Sequence, residues 1–177
     1  MWSNVIGPGG ARELLWIERQ EGYIQNFLQS FTFQEGEVMI VYSHGGLNAA
    51  PIEAAMYAKE RGLKVIAITS GENHQKAKAN HSSGNKLGDV ADILIDNCCP
   101  LEDSLVPIPT YPQKVGASST VATITISQAI VSETAKRLQE MDHKMYIFVS
   151  PNVNEIPKDY MHQVYANYTE LVRKNKN

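Results

Sequence analysis

The loop at residues 43–48 has the composition of an anion-binding turn. It follows an apolar run, leads into a helix signal at Pro51, and reads Ser43-His44-Gly45-Gly46-Leu47-Asn48. Glycines let backbone amides approach an anion closely, and the free amides at a helix start favour negative charge. Ser43 and Asn48 add hydrogen-bonding side chains, and His44 lies within the loop, in reach of a bound anion. A plain strand-to-helix turn also needs glycine and a cap, so the loop by itself leaves both interpretations open.

A second group of hydroxyls precedes a long helical pattern at residues 118–141. Ser118, Ser119 and Thr120 stand together there, with Lys114 as a nearby positive charge. One N-cap oxygen suffices for a helix, so three hydroxyls favour a polar ligand, with capping alone as the alternative. Another small polar rim, Thr69-Ser70-Gly71, ends a second apolar run and makes Ser70 a candidate ligand contact.

His81 and Glu53 are the candidates for acid–base chemistry. His81 lies in a long segment between two apolar runs, and long loops of this kind are frequently site elements. An imidazole titrates near neutral pH, as a general acid or base must. The alternatives are a surface histidine and, for Glu53, a carboxylate placed only to interact with a helix dipole.

No metal or cofactor is predicted. The 5 histidines and 2 cysteines show no metal-ligand spacing. Residues 7–10 read Gly-Pro-Gly-Gly and resemble a dinucleotide loop, but no strand signal precedes them. Arg12 also occupies the third glycine position of G-x-G-x-x-G, which excludes that assignment.

The elements that must position these residues alternate between helices and apolar strands. Strands are expected at residues 38–42, 65–69, 93–95 and 146–149. Helices are expected at residues 11–29, with a break near Gly22, and from Pro51 to a C-cap at Gly62. Two further helices are expected at residues 118–141 and 158–174. This alternation predicts an α/β fold with a parallel sheet of three to four strands. The predicted organisation is an α/β domain at residues 1–155 and a C-terminal helical tail at 156–177, docked on the domain or on a second subunit.

Length, composition and charge restrict the class of protein. A chain of 177 residues with 43% hydrophobic residues is long enough for one globular domain. Lys and Arg total 16 against 19 Asp and Glu, a net charge of -3 that does not fit a nucleic-acid binder. Neither a membrane span nor a secretory signal is expected. The adjacent Cys98 and Cys99 cannot join distant segments, which favours reduced thiols and a cytoplasmic location.

Four segments taken in order resemble the SIS (sugar isomerase) domain. They are residues 38–58, 60–70, 81–84 (His-Ser-Ser-Gly) and 115–120. The likeness extends to Ser150-Pro151-Asn152-Val153 and is to an uncharacterised bacterial branch of phosphoheptose-isomerase-like SIS proteins. The resemblance implies a flavodoxin-like parallel sheet that binds phosphorylated sugars, often as a dimer or tetramer. It also implies that the 43–48 loop and residues 118–120 contact the ligand.

The chain departs from the family pattern in two places. The family loop resembles Ser-x-Ser-Gly-x-Thr/Asn; Ser43, Gly46 and Asn48 match it, but Gly45 replaces the second serine and Leu47 replaces a residue that is commonly polar. The chain is also expected to begin after the N-terminal strands usual in this branch. An uncovered strand edge invites pairing with another chain, so we expect a homo-oligomer.

Three functions fit these observations. The first is a sugar-phosphate aldose–ketose isomerase with His81 and Glu53 as acid and base. The second is a phosphosugar-sensing module without chemistry, favoured by the changed loop and the expected missing strands. The third is a vestigial structural fragment that serves assembly alone.

Overall fold

The structure, a computed structural model, describes residues 10–150, 152, 156–157 and 159–174. Its helices are α1 (Ala11–Ile17), α2 (Tyr23–Leu28), α3 (Ala49–Glu60), α4 (Gly71–Lys76), α5 (Leu87–Val90), α6 (Ser119–Glu140) and α7 (Tyr160–Lys174). Its strands are β1 (Val38–Tyr42), β2 (Lys64–Thr69), β3 (Ile93–Asp96), β4 (Ser104–Pro107) and β5 (Lys114–Ala117). Residues 7–9 of the glycine-rich start, and Pro151 and Val153 of the family-like segment, lie outside the described residues.

The first three strands form a parallel sheet in the order β1-β2-β3. Met39 pairs with Val65 and Ile66 with Ile93, so the apolar runs identified in the sequence lie side by side in register. Runs that are apolar on consecutive residues are typical of strands buried on both faces, as in a parallel sheet covered by helices. The predicted α/β fold with a parallel sheet flanked by helices and a C-terminal helix is confirmed.

The core lies where α3 and α5 pack against β1 and β2. Its buried members are Val41, Ile52, Ala55, Ala58, Leu63, Val65, Ala67 and Leu87. Three alanines in this set let α3 approach the sheet closely. The burial of Ile52, which has no exposed surface, fixes the rotation of α3 and therefore the direction in which its first turn presents polar side chains.

The C-terminal end of α3 is a Schellman motif. The Leu63 amide donates to the Ala58 carbonyl and the Gly62 amide to the Lys59 carbonyl, each at 3.1 Å. Gly62 has φ of 77°, a left-handed conformation that favours glycine. The predicted C-cap is therefore confirmed, and it turns the chain directly into β2.

Several segments differ from the sequence-based prediction. The short helices α4 and α5 and the strands β4 and β5 are not among the expected elements. Residues 114–117 lead into α6 and form β5, which pairs antiparallel with β4, with Val106 opposite Val115. The expected strand at 146–149 does not form. The Tyr160 hydroxyl accepts from the Ile147 amide at 3.1 Å and donates to the Ile147 carbonyl at 3.0 Å, so a side chain takes the backbone groups that a neighbouring strand would use.

The chain divides into two compact units, Met1–Ile126 and Ser127–Asn177, with the boundary inside α6. The first unit contains both sheets. In the second, the Phe148 ring contacts Tyr165 and Tyr168 on α7 at centroid distances of 5.6 and 6.2 Å. The aromatic stripe of the tail helix therefore contributes to packing. No described helix has the length and apolar content needed to cross a bilayer.

Asp92 holds three elements of the first unit together, and this gives a pH-dependent prediction. Its carboxylate accepts from Lys59 Nζ at 2.6 Å and from the Val65 amide at 2.8 Å. The hydrogen bond from Lys59, followed by the one from Val65, lowers the pKa of Asp92 to about 2. A carboxyl group with a lowered pKa stabilises the folded state above its unfolded pKa, and this stabilisation is lost as the pH falls through the folded pKa.

We therefore expect Asp92→Asn to lower the unfolding free energy by a constant amount above about pH 4. The difference from the unsubstituted chain should shrink between pH 4 and the folded pKa of about 2. Urea unfolding at several pH values measures it, with Glu60→Gln, which removes an exposed carboxylate 3.9 Å from Arg61, as the control. A difference that stays the same down to pH 2 would contradict the assignment.

Candidate functional site

A cavity of about 150 Å³ lies at the start of α3, beyond the carboxyl end of β1. It is lined by Arg19, Glu21, Leu47, Asn48, Ala49, Asn80 and His81. Ligands of open parallel sheets bind beyond the carboxyl ends of the strands, so the cavity occupies the expected place. Of the predicted site residues, Asn48 and His81 line it directly.

The lining residues at the start of α3 offer hydrogen-bond donors. Within the 43–48 loop the Gly46 amide donates to Ser43 Oγ at 3.2 Å, and beyond it the Ala50 amide donates to the Glu18 carbonyl at 3.0 Å. Pro51 has no amide hydrogen. The amides of Gly45, Leu47, Asn48 and Ala49 have no acceptor among the described residues.

Asn48 stands at the N-cap position of α3 but does not cap it. Its side-chain amide instead donates to Glu18 Oε1 at 2.8 Å, and no side chain caps this helix. The start of α3 therefore keeps free amide donors beside the cavity, where the helix dipole adds positive potential. Arg19 brings a full positive charge to the same cavity lining.

Two lining residues, Glu21 and His81, form an acid–base cluster with the buried Glu53. His81 Nε2 lies 3.5 Å from Glu53 Oε1 and 3.9 Å from Glu21 Oε2. The side chains of His81 and Glu53 are only 7% and 5% exposed. The structure therefore brings together the two residues expected to act as acid and base, and adds Glu21 as a third.

Hydrogen bonds define the proton position on His81. The Ser83 amide, which can only donate, points to His81 Nδ1 at 3.1 Å. Nδ1 is therefore the acceptor in the neutral ring, and Nε2 carries the proton that faces the two carboxylates. Glu53 Oε1 accepts from the Gly22 amide at 2.7 Å, whereas Glu53 Oε2 and His81 Nε2 are buried without a hydrogen-bond partner among the described residues.

Glu21 is held in its ionised form by the neighbouring loop. The Ser82 hydroxyl and the Ser82 amide both donate to its carboxylate. These hydrogen bonds, the hydroxyl one first, hold the pKa of Glu21 below its usual range, and the charge of His81 contributes in the same direction. The cluster therefore presents a charged, more exposed carboxylate next to a buried one.

Gly46 is required by a close approach within the loop. Its φ is 62°, and a Cβ at this position would lie 2.8 Å from Thr69 Oγ1. Gly45 has open space around its Cα and no such restriction. Gly46 therefore serves the contact between the loop and β2, and a ligand is not needed to explain it.

The remaining predicted residues gather at a second location around Asp103. Ser118 and Ser119 each donate to the Asp103 carboxylate through amide and hydroxyl, at distances of 2.6 to 3.2 Å. Thr120 is exposed in the first turn of α6. A protein carboxylate thus occupies the donors that the sequence suggested for a ligand.

His44 and Ser70 belong to the same location. Ser70 is buried. Its hydroxyl donates to the Cys99 carbonyl at 2.8 Å and accepts from the backbone amide of Asn73, so Ser70 caps α4. His44 Nε2 lies 3.4 Å from the Leu101 carbonyl and 3.2 Å from Asn73 Nδ2. These contacts connect the 43–48 loop with the segment before β4.

Arg19, Glu21 and Asp103 were not selected from the sequence. Arg19 and Glu21 precede Gly22, at the break between α1 and α2, and charged residues at a helix break are common enough to carry no signal by themselves. Glu21 lies 60 residues from His81, 81 less 21, so only the tertiary fold shows their proximity.

Comparison with known proteins adds a family assignment. Residues 1–70 match the family model of the SIS domain. The chain is 39% identical over 153 residues to a UPF0309 protein of Caldanaerobacter subterraneus subsp. tengcongensis, covering 85% of the chain and 62% of the relative. It is 37% identical over 145 residues to a UPF0309 protein of Brucella canis, covering 81% of the chain and 59% of that relative.

A third relative, a UPF0309 protein of Oceanobacillus iheyensis, is 33% identical over 156 residues, 88% of the chain and 63% of the relative. The chain thus matches less than two thirds of the length of these curated relatives.

The contacts of Asp103 give a prediction for the start of α6. Burial raises the pKa of Asp103, but the hydrogen bonds from Ser119 and Ser118 and the charge of His44 outweigh it, so the pKa lies below its usual value. Asp103→Asn, which tolerates the left-handed φ of 66° but has no charge, should cost about 1 kcal/mol of unfolding free energy. Urea unfolding near pH 7 measures it against Glu102→Gln. Equal stabilities of the two variants would show that the carboxylate does not cap α6.

Proposed function

The chain belongs to the SIS domain family, and from this premise we propose that it binds a phosphorylated sugar in the cavity at the start of α3. One observation carries the proposal: Arg19 and the start of α3, with its uncapped amides, line the same cavity as His81 and Glu21 of the His81–Glu53–Glu21 cluster. A sugar phosphate offers a group to each of these parts: its anionic phosphate to the donors, and its hydroxylated carbon chain to the acid–base cluster.

The phosphate group is assigned to the side of Arg19 and Ala49. A guanidinium binds phosphate through paired hydrogen bonds, and backbone amides at a helix start add further donors. Asn80 and Asn48 line the cavity beside them and supply side-chain amides. Ser118, Ser119 and Thr120 are not needed in this arrangement, because Asp103 takes the donors of the two serines.

The proposed reaction is aldose–ketose isomerisation. It moves a proton between adjacent carbons and requires a base, an acid and stabilisation of an enediolate. Glu53 provides a buried carboxylate oxygen without a hydrogen-bond partner among the described residues, suited to accept the proton. His81 presents its Nε2 proton on the same side, suited to donate to the substrate oxygen.

The second candidate is a phosphosugar-binding module without turnover. The contacts of Asp103 favour it, since a protein carboxylate occupies Ser118 and Ser119, which the family resemblance assigns to the ligand. In this case the His81–Glu53–Glu21 cluster would orient the sugar hydroxyls through hydrogen bonds.

We also propose a cytoplasmic homo-oligomer, either a dimer or a tetramer. Cys98 and Cys99 are both free thiols, which suits a reducing compartment. β1 and β3 are the edges of the described parallel sheet, and Val38 and Ile93 on them are 55% and 54% exposed. Exposed apolar edge strands are typical of surfaces that pair with another chain.

Binding is tested by thermal shift with hexose, heptose and pentose phosphates, each against its unphosphorylated sugar. We expect one phosphosugar to raise the melting temperature, because a ligand that binds only the folded state stabilises it. Arg19→Gln should abolish the shift, whereas Arg137→Gln, an exposed arginine on α6 that pairs with Glu133, should retain it. No shift with any phosphosugar would reject the proposal.

Turnover separates the two candidates. For an isomerase, His81→Asn should lower the rate at least about 100-fold, in the range of general acid–base catalysis, while the thermal shift by the same phosphosugar persists. The measurement is the conversion of aldose to ketose phosphate by NMR. Saturable binding to the unsubstituted chain without conversion would instead establish the binding module.

A further inference from the structure

We propose that Glu21, Glu53 and His81 form a binding site for one divalent transition-metal ion. Each offers one ligand atom, and the three atoms lie within 4.8 Å of one another. The residues come from three separate segments: the α1–α2 connection, the first half of α3 and the loop between α4 and α5. Their sequence spacing therefore gave no metal motif.

The strongest observation is the unpartnered polar atoms inside the cluster. Glu53 Oε2 and His81 Nε2 are buried and have no hydrogen-bond partner among the described residues. A buried polar group without a partner costs free energy, and a bound ion is one of the arrangements that satisfies such a group. Both atoms belong to side chains that are more than nine-tenths buried.

The charge of the cluster also favours a cation. Among the described residues, no Lys or Arg nitrogen forms an ion pair with Glu21 or Glu53. Both carboxylates instead lie close to His81 Nε2, at 3.9 and 3.5 Å. Two carboxylates beside a mostly buried imidazole leave local negative charge uncompensated. A divalent cation would neutralise it, as buried charges in proteins are generally paired or bound to metal.

The surrounding contacts have the form of an outer coordination shell. The Gly22 amide holds Glu53, the Ser82 amide and hydroxyl hold Glu21, and Ser83 Oγ lies 2.8 Å from His81 Nδ1. Groups that orient metal ligands do so through hydrogen bonds of this kind. A metal on Nε2 requires the ring proton on Nδ1; Ser83 Oγ, 2.8 Å away, would then accept that proton, and the Ser83 amide would give up its hydrogen bond to Nδ1.

The ligand set defines the class of ion. One imidazole nitrogen and two carboxylate oxygens suit Zn²⁺ or Mn²⁺ better than a soft ion that prefers thiolates. Glu21 and His81 also line the cavity, so positions left open on the metal would face the same space as the proposed sugar. Three protein ligands with an open position are typical of catalytic zinc sites.

The test uses metal binding by the full chain without sugar, so its outcome does not depend on the phosphosugar proposal. ZnCl₂ and MnCl₂ are the probes, measured by isothermal titration calorimetry, and Mn²⁺ also by electron paramagnetic resonance. The Mn²⁺ arm avoids binding by the thiols of Cys98 and Cys99, which prefer softer ions. We expect one ion per chain and a rise in melting temperature that EDTA reverses.

Glu21→Gln and His81→Gln should each weaken binding at least about tenfold, because even the loss of an outer-shell partner of a metal ligand costs that much. Glu21 is 41% exposed, so its variant folds even if a change at the buried histidine does not. His143→Gln, an exposed histidine elsewhere, is the matched control and should bind unchanged. Absence of binding, or equal affinity in Glu21→Gln and the unsubstituted chain, would overturn the metal site.

Repeating the phosphosugar thermal shift with and without EDTA keeps the two proposals separate. A shift that survives EDTA, together with no metal binding, would support the sugar site and reject the metal. Metal binding without any sugar shift would do the reverse.

Discussion

The buried carboxylate of Glu53 is the group on which the arrangement of the site depends. Removing a carboxylate from water is costly unless hydrogen bonds or opposite charge replace the lost hydration. Glu53 obtains one hydrogen bond from the Gly22 amide, 31 residues away in the chain, and lies against His81. The fold therefore has to bring the α1–α2 connection and the 81–83 loop to the first half of α3, and the cavity lies where these segments meet.

The starts of α4 and α6, in the same unit, are capped by side chains of the protein itself. Ser70 caps α4, and Asp103 accepts four hydrogen bonds from the two serines at the start of α6. Asn48 leaves α3 without a side-chain cap because its amide is drawn to Glu18. Capping thus decides which helix start can receive an anion, and it selects α3 over the hydroxyl-rich start of α6.

The acid–base cluster and the donors of α3 are opposite in charge and share one cavity. Such a division suits a substrate with an anionic end and a carbon chain that exchanges protons. The acidic cluster also suits a metal ion, because an ion bound there would leave Arg19 and the α3 amides free for phosphate. Phosphate binding and metal binding are therefore compatible, whereas the acid–base roles of His81 Nε2 and Glu53 Oε2 in isomerisation apply only to the metal-free cluster. Each proposal is tested by its own ligand.

The sequence by itself determined the parallel sheet, the long helix, the Gly62 cap and the candidacy of His81 and Glu53. Those features depend on local patterns: apolar runs of strand length, helical spacing, a glycine at a helix end, a histidine in a long loop and a carboxylate in a first helical turn. The tertiary structure alone decided the partners. It placed Glu21 beside His81, gave Ser118 and Ser119 to Asp103, and replaced the strand expected at 146–149 by contacts with Tyr160. Side chains distant in sequence compete for the same backbone donors, and only packing determines which of them reaches the donors.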